Sequence, residues 1–220
     1  MTGRSLPPSP AGNPYFQIGL DVRRRPCLVI GGGSEAEDKV GRLLDAGASV
    51  TLVSPRTTDQ LSDWAAEGVI AHRNRTFEPN DLTDVFVVIN TVAHDADLGR
   101  QVYELSRTRG CLVNSHDCPD LSDFGMASLV AAGHLRISIS TSNASPSLAA
   151  RIRQGLEQLF DGEFVDYLEQ LDRVRGHLKA TVTDRRRRLD LLRTVVADFR
   201  LTGSISYPEE WREQMGSLLE

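Results

Sequence analysis

Asp117 closes the segment Asn114-Ser115-His116-Asp117, just past a short apolar run. A carboxylate at that position can take a proton from a ligand lying against a sheet edge. The same residue type also serves as a cap or turn residue ahead of Pro119. His116 precedes it, and histidine is the side chain that commonly exchanges protons near neutrality. Adjacent residues on an extended chain point to opposite faces, so His116 is expected to face away from a crevice that Asp117 faces, unless the strand has already ended. The second chemistry-bearing stretch is Gly31-Gly32-Gly33-Ser34-Glu35-Ala36, a Gly-x-Gly-x-x-Ala pattern. Gly31 permits a tight turn, Gly33 lets backbone approach a phosphate, and Ala36 keeps the following helix close to a sheet. Free N–H groups and the helix dipole there favour an anion.

These residues need a strand before the glycines and a helix after them, and both are present. Cys27 to Ile30 reads as a buried strand, and Val40, Leu43 and Leu44 place an apolar stripe on a helix ended by Gly47. Val50 to Val53 supplies the next strand and completes a βαβ unit. Ser54-Pro55-Arg56 follows where an acidic residue usually takes the ribose hydroxyls of NAD. Ser54 can bond a ribose hydroxyl, while Arg56 is either a solvated loop charge or a contact for the extra phosphate of NADP. The residues alone leave NAD against NADP open.

The alternation continues with a helix closed by Trp64 to Gly68, a strand at Val69 to His72, and an apolar strand from Val85 to Asn90 followed by Thr91-Val92. A helix from about Ala96 to Arg107 leads to a strand at Leu112 to Asn114. Strands alternating with helices predict an α/β fold with a parallel, doubly wound sheet, whose ligands sit beyond the carboxyl ends of the strands. The glycine loop, the Thr91-Val92 turn and Asn114 to Asp117 all meet that edge. Beyond Asp117 the pattern changes: Leu135 to Thr141 reads as a strand with one apolar and one polar face, and Ser145-Pro146 starts a helix carrying Leu148, Ile152, Leu156 and Leu159. A half-polar strand of this kind suits a subunit interface. Arg185 to Arg188 are four consecutive positions that cannot share one helix face, which reads as a solvated surface.

The chain is long enough at 220 residues for one full core and a smaller appended module. Its net charge of −5 argues against a nucleic-acid partner, and no apolar run approaches the length needed to cross a bilayer. The residues through Asn13, rich in Pro, Ser and Gly, read as a flexible leader without a secretory core. Cys27, Cys111 and Cys118 are an odd set without metal-ligand spacing, and His72, His94, His134 and His177 are scattered, so no metal site is expected. Reduced thiols in strand positions fit a cytoplasmic protein.

The ordered set of motifs resembles precorrin-2 dehydrogenase, the module that forms the N-terminal part of siroheme synthase and in some relatives also inserts iron. The stretches that carry it are Pro14 to Ile18 with Gly19-Leu20, Gly31 to Lys39, Gly47 to Pro55, Asn90-Thr91, Val113 to Asp117, Asp123-Phe124 through Ser128, and Ile137 to Arg151. The resemblance implies NAD-dependent oxidation of precorrin-2 to sirohydrochlorin in a homodimer, with the family's essential carboxylate at Asp117. It implies an NAD-binding Rossmann domain over 14–115, a dimerisation segment over 116–150 and a helical C-terminal domain over 151–220. Ser34, Glu35, Pro55 and Arg56 would line the cofactor, with Thr91 and Val92 on its other side. Asn114, His116 and Thr141 would face the tetrapyrrole, and Arg151 and Arg153 are the nearest candidates to meet its carboxylates, unless they are ordinary helix charges.

The chain departs from the family pattern at Ser142-Asn143, which replaces a glycine pair, and at Ala127, which replaces a proline. Thr141 stands where some relatives carry a phosphorylated serine. Two alternatives stay open. A chelatase placing iron or cobalt in sirohydrochlorin would need Asp117 but not the intact glycine loop, and a dinucleotide-sensing module would need the loop but not Asp117.

Overall fold

A computed structural model describes residues 16–142 and 144–204. The expected leader, the Pro14-Tyr15 part of the first matching stretch, Asn143 and the region around Trp211 lie outside the described residues.

Five strands form one parallel sheet in the order β3-β2-β1-β4-β5. They are β1 (Pro26–Ile30), β2 (Ser49–Val53), β3 (Ala71–Arg73), β4 (Val87–Asn90) and β5 (Leu112–Ser115). Helices α1 (Ser34–Asp45), α2 (Asp59–Ala66) and α3 (Ala96–Arg109) connect them, with single-turn helices at Pro79–Leu82 and Pro119–Leu121. The sheet buries both faces, as parallel sheets do. Cys27 and Val29 of β1 join Ala36, Val40, Leu43 and Leu61 in one cluster. Leu28 and Ile30 join Leu82, Val102 and Val113 in the other. The strand order reverses between β1 and β4, which opens the crevice characteristic of this topology at the ends of those strands.

Several strands differ from their expected extents, with β4 beginning at Val87 rather than Val85. The strand expected at Val69 to His72 begins only at Ala71, because Val69 is exposed and Ile70 alone turns into the core. A strand absent from the sequence reading, β6 (Ser128–Ala132), pairs antiparallel with β7 (Leu135–Ile139) through Gly133, whose φ is +53°. The apolar-polar face of β7 is therefore one arm of a hairpin. Three helices follow: α4 (Pro146–Glu157), α5 (Gly162–Thr181) and α6 (Arg185–Thr194).

The chain divides into two compact units, one running to Ala127 and including Ser140–Pro146, the other made of Ser128–Ile139 and the chain from Ser147 onward. The hairpin thus groups with the helices after it, whereas the sequence reading grouped 116–150 together. In the second unit Phe160, Phe164, Tyr167 and Phe199 form an aromatic cluster, with Tyr167 and Phe199 stacked at 6.0 Å. Arg185, Arg186 and Arg187 are exposed, as expected for a solvated helix surface. Among the described residues no helix is long and apolar enough to cross a membrane.

Candidate active site

The glycine loop is held by backbone on both sides. Gly31 N donates to Val53 O at 3.0 Å, and Thr58 N donates to Gly32 O at 3.0 Å. Gly31 adopts φ +105°, a conformation open to glycine, and a Cβ there would strike Thr91 Oγ1 and come within 3.1 Å of Val92 Cγ2. The middle glycine, to which the sequence pattern assigns no task, is the most confined: a Cβ on Gly32 would collide with the Arg56 carbonyl and lie 2.7 Å from Ser54 Oγ. Gly33 differs from both, because a Cβ there meets nothing within 4 Å. Ala36 is fully buried against the sheet, as its place in the motif requires.

Helix α1 begins at Gly33 with no side-chain cap. Four other α-helices treat their ends differently: at α2, α3, α5 and α6, Thr58, Asp95, Asp161 and Asp184 each turn a side-chain oxygen onto a first-turn N–H. At those four helices a side chain satisfies part of the N-terminus, whereas that of α1 is left open to an outside acceptor. With the open face of Gly33, this is a cradle that fits the pyrophosphate of a dinucleotide. Ser54, Arg56, Thr91 and Val92 lie beside the glycine loop. Ser54 is buried; its hydroxyl donates to Arg56 O at 2.5 Å and accepts from Arg56 N, while His72 Nε2 donates to Ser54 O at 2.9 Å. These bonds spend Ser54 on shaping the Ser54-Pro55-Arg56 turn, and the side chains of Pro55 and Arg56 are exposed. Thr91 Oγ1 donates to Ile30 O at 2.8 Å, tying β4 to β1 at the crevice.

A second concavity of about 370 Å³ opens beyond β4 and β5, lined by Asn90, Arg100, Ser115, His116, Asp117 and Cys118 among others. β5 ends at Ser115, and Asp117 takes φ +56°, so the expected alternation stops before it reaches these two residues. His116 consequently faces the same cleft as Asp117, the outcome the sequence reading left open for a strand that has already ended. Its Nε2 lies 3.5 Å from Asp117 Oδ2 and its Nδ1 3.6 Å from Glu35 Oε2. The turn is anchored from behind. Ser122 Oγ accepts from Ser115 N and donates to Cys118 O, and Asp123 Oδ2 accepts from Val113 N at 3.1 Å. Asn114 is used in the same scaffold: its amide donates to Phe124 O at 2.8 Å, and it does not line the cleft.

Thr141 Oγ1 accepts from Ser145 N at 3.1 Å, bracing the approach to α4. Arg151 and Arg153 stand on α4 in the other compact unit, with Arg153 paired to Glu157 at 2.6 Å. Gly32 at the loop and Arg100 at the cleft are residues that sequence reasoning gave no role. The glycine triplet itself was the available signal for Gly32, whereas Arg100 sits on an amphipathic helix with nothing local to mark it. Among the described residues Ser115 Oγ is the buried side-chain polar atom without a hydrogen-bond partner, at the foot of the cleft. No group of three or more His, Cys, Asp or Glu among the described residues is arranged to hold a metal.

The sequence model of a family described as putative NAD(P)-binding matches residues 18–128. The chain belongs to this family. The NAD(P)-binding family description accounts for the glycine cradle and covers NAD and NADP alike. The chain is 35% identical to siroheme synthase of Nitrosococcus oceani over 174 residues, which is 79% of this chain and 37% of that protein. It is 35% identical to siroheme synthase of Methylococcus capsulatus, over 68% of this chain and 31% of the other. With siroheme synthase of Neisseria meningitidis it shares 36% identity, over 79% of this chain and 36% of the relative. The chain thus spans about a third of the length of the curated relatives it matches, and the resemblance to that module stands. A solved structure titled SirC, precorrin-2 dehydrogenase, shares the fold with a TM-score of 0.72 and 24% identity, over 84% of this chain and 90% of that one.

Proposed function

We propose that this NAD(P)-binding protein oxidises precorrin-2 to sirohydrochlorin with NAD, and that Asp117 is the general base. The observation that carries the reading is the conjunction of an uncapped α1 behind an open Gly33 with Asp117 in the adjoining cleft, linked to Glu35 of α1 through His116. The similarity to siroheme synthases and the shared fold with SirC support this chemistry. A bound nicotinamide dinucleotide would supply the hydride acceptor.

The residues divide the remaining work. The N–H groups at the start of α1 receive the pyrophosphate, Gly31 and Gly32 keep the loop low, and Thr91 and Val92 border it from β4. Asp117, on a solvent-accessible turn, takes the proton released as the macrocycle gains conjugation. The cleft's volume is at the small end for ligand pockets, so it receives one edge of a tetrapyrrole rather than the whole ring. Arg100 at its rim supplies positive charge for a substrate carboxylate. Arg151 and Arg153 are further candidates from α4. In this reading the chain works in the cytoplasm as a homodimer, with the segment over 116–150 contributing the subunit contact.

The deciding experiment is an anaerobic assay of the purified protein with precorrin-2 and NAD, following NADH, repeated with iron or cobalt. NADH formation is expected. NAD binding without turnover would transfer the reading to a sensor. Metal entry into supplied sirohydrochlorin without NAD turnover would transfer it to a chelatase.

A further inference from the structure

Glu35, His116 and Asp117 come from two elements far apart in sequence, the first turn of α1 and the turn after β5, yet their polar ends form a continuous line. The imidazole has a carboxylate oxygen at each nitrogen: Glu35 Oε2 at 3.6 Å from Nδ1 and Asp117 Oδ2 at 3.5 Å from Nε2. These separations are longer than hydrogen bonds, of the kind that tighten when a reacting complex assembles. His116 is held from its own backbone, since its N–H donates to Asn90 O at 2.8 Å. Glu35 is restrained too, with Lys39 Nζ 3.2 Å from the same Oε2. Lys39 is itself shared with Asp38 at 2.7 Å, and its side chain is only 13% exposed. The groups facing the imidazole are therefore Glu35 from α1, with Lys39 behind it, and Asp117 from its own turn.

We propose that His116 is a proton relay for Asp117, oriented by Glu35. The proposal rests on the reading of Asp117 as base for a nicotinamide-dependent oxidation. The Asp117 carboxylate gains the substrate's proton and becomes the neutral acid. It then passes that proton to His116 Nε2, regenerating the carboxylate and leaving an imidazolium whose Nδ1–H points at Glu35. The imidazolium returns the proton to water through its exposed edge, the side chain being 30% exposed. Electrons move only in the preceding hydride transfer, from substrate to the oxidised nicotinamide. His116 acts through Asp117 and is a positioning residue, and Glu35 holds the ring so that Nε2, not Nδ1, meets the base. Glu35 also lies in the first turn of the helix that would carry the pyrophosphate, which ties the relay's geometry to the cofactor site.

The test compares His116→Asn, Glu35→Gln and Asp117→Asn in the full chain. In the free protein, imidazole nitrogen resonances assigned to His116 by the His116→Asn variant are expected to respond separately: Glu35→Gln moves Nδ1 and Asp117→Asn moves Nε2. With precorrin-2 and NAD, His116→Asn is expected to lower kcat about tenfold to a hundredfold. Its KM should be unchanged, and part of the loss should be restored by free imidazole in the buffer, which a purely structural role would not allow. Wild-type kcat in His116→Asn, or nitrogen resonances indifferent to both carboxylate variants, overturns the relay. Asp117→Asn separates the two readings: if it is inactive while His116→Asn is normal, only the relay fails, and if it turns over normally, the base and the relay fail together.

Discussion

Substituting alanine at Gly32 and at Gly33 should give opposite outcomes, although the two residues are neighbours of the same type. At Gly32 the added methyl meets the Arg56 carbonyl and lies 2.7 Å from Ser54 Oγ, and both belong to a turn already locked by the Ser54 hydroxyl and by His72. The obstacle is backbone, so the turn must shift, at the upper end of the roughly 1–3 kcal/mol typical of overpacking. For a domain of this size that lowers the melting temperature by about 5–10 °C. At Gly33 nothing lies within 4 Å, and the backbone has φ −86° and ψ −171°, which any residue adopts. Gly33→Ala should therefore melt at or slightly above the wild-type temperature, because alanine gives the unfolded chain less freedom, by about 0.4–1 kcal/mol. Its methyl would nevertheless stand in the space through which a pyrophosphate approaches α1. NAD affinity should fall at least about tenfold, or ~1.4 kcal/mol. Thermal melts with and without NAD, paired with calorimetric titration, read both quantities. Undiminished NAD affinity in Gly33→Ala would refute the placement of the phosphates, and an unchanged melt in Gly32→Ala would refute the steric reasoning.

Asp117→Ala is expected to lower turnover of precorrin-2 by about 10²-fold or more while leaving NAD affinity within about twofold, as measured by steady-state kinetics and titration. Asp81 is buried and bonded by Arg75, Arg73 and the Glu78 N–H. Burial disfavours its charge, but those donors outweigh it and hold its carboxyl at about 2, below the ordinary 3.8. Its ionised form therefore stabilises the fold by about 2 kcal/mol above pH 4, and this contribution disappears as pH falls toward 2. Asp81→Asn should lower stability at pH 7 and flatten that acid limb in urea melts. Burial pushes the Cys27 thiol up to about 11, and Cys111 is buried as well. Alkylation at pH 8 followed by peptide mapping should label Cys118 in the folded protein, and Cys27 and Cys111 only after unfolding.

Much of the nucleotide-binding half was legible because its signals are local. A buried strand, a glycine turn and an amphipathic helix each declare themselves within a dozen residues, and the chain order of strands and helices implies the parallel sheet. β6 escaped because Ser128 to Ala132 carries no strong alternation of its own. Its strand character comes from pairing with β7 across Gly133. Asn114 was readable as a polar residue at a strand end, but its use as a bond to Phe124 depends on where the chain returns ten residues later.

The sequence by itself determined the α/β class, the glycine loop and the position of Asp117 beyond a strand end, since backbone sterics and hydrophobic periodicity act between near neighbours. Only the tertiary structure decided that Gly32 is pressed against Arg56, that the described N-cap of α1, unlike those of α2, α3, α5 and α6, gives no side-chain bond, and that His116 shares a cleft with Asp117. Each of these depends on a contact between segments distant in the chain or on a local departure from strand geometry. At Asp117 the backbone enters the left-handed region, and that single turn redirects the side chains that period-two alternation would have sent to opposite faces.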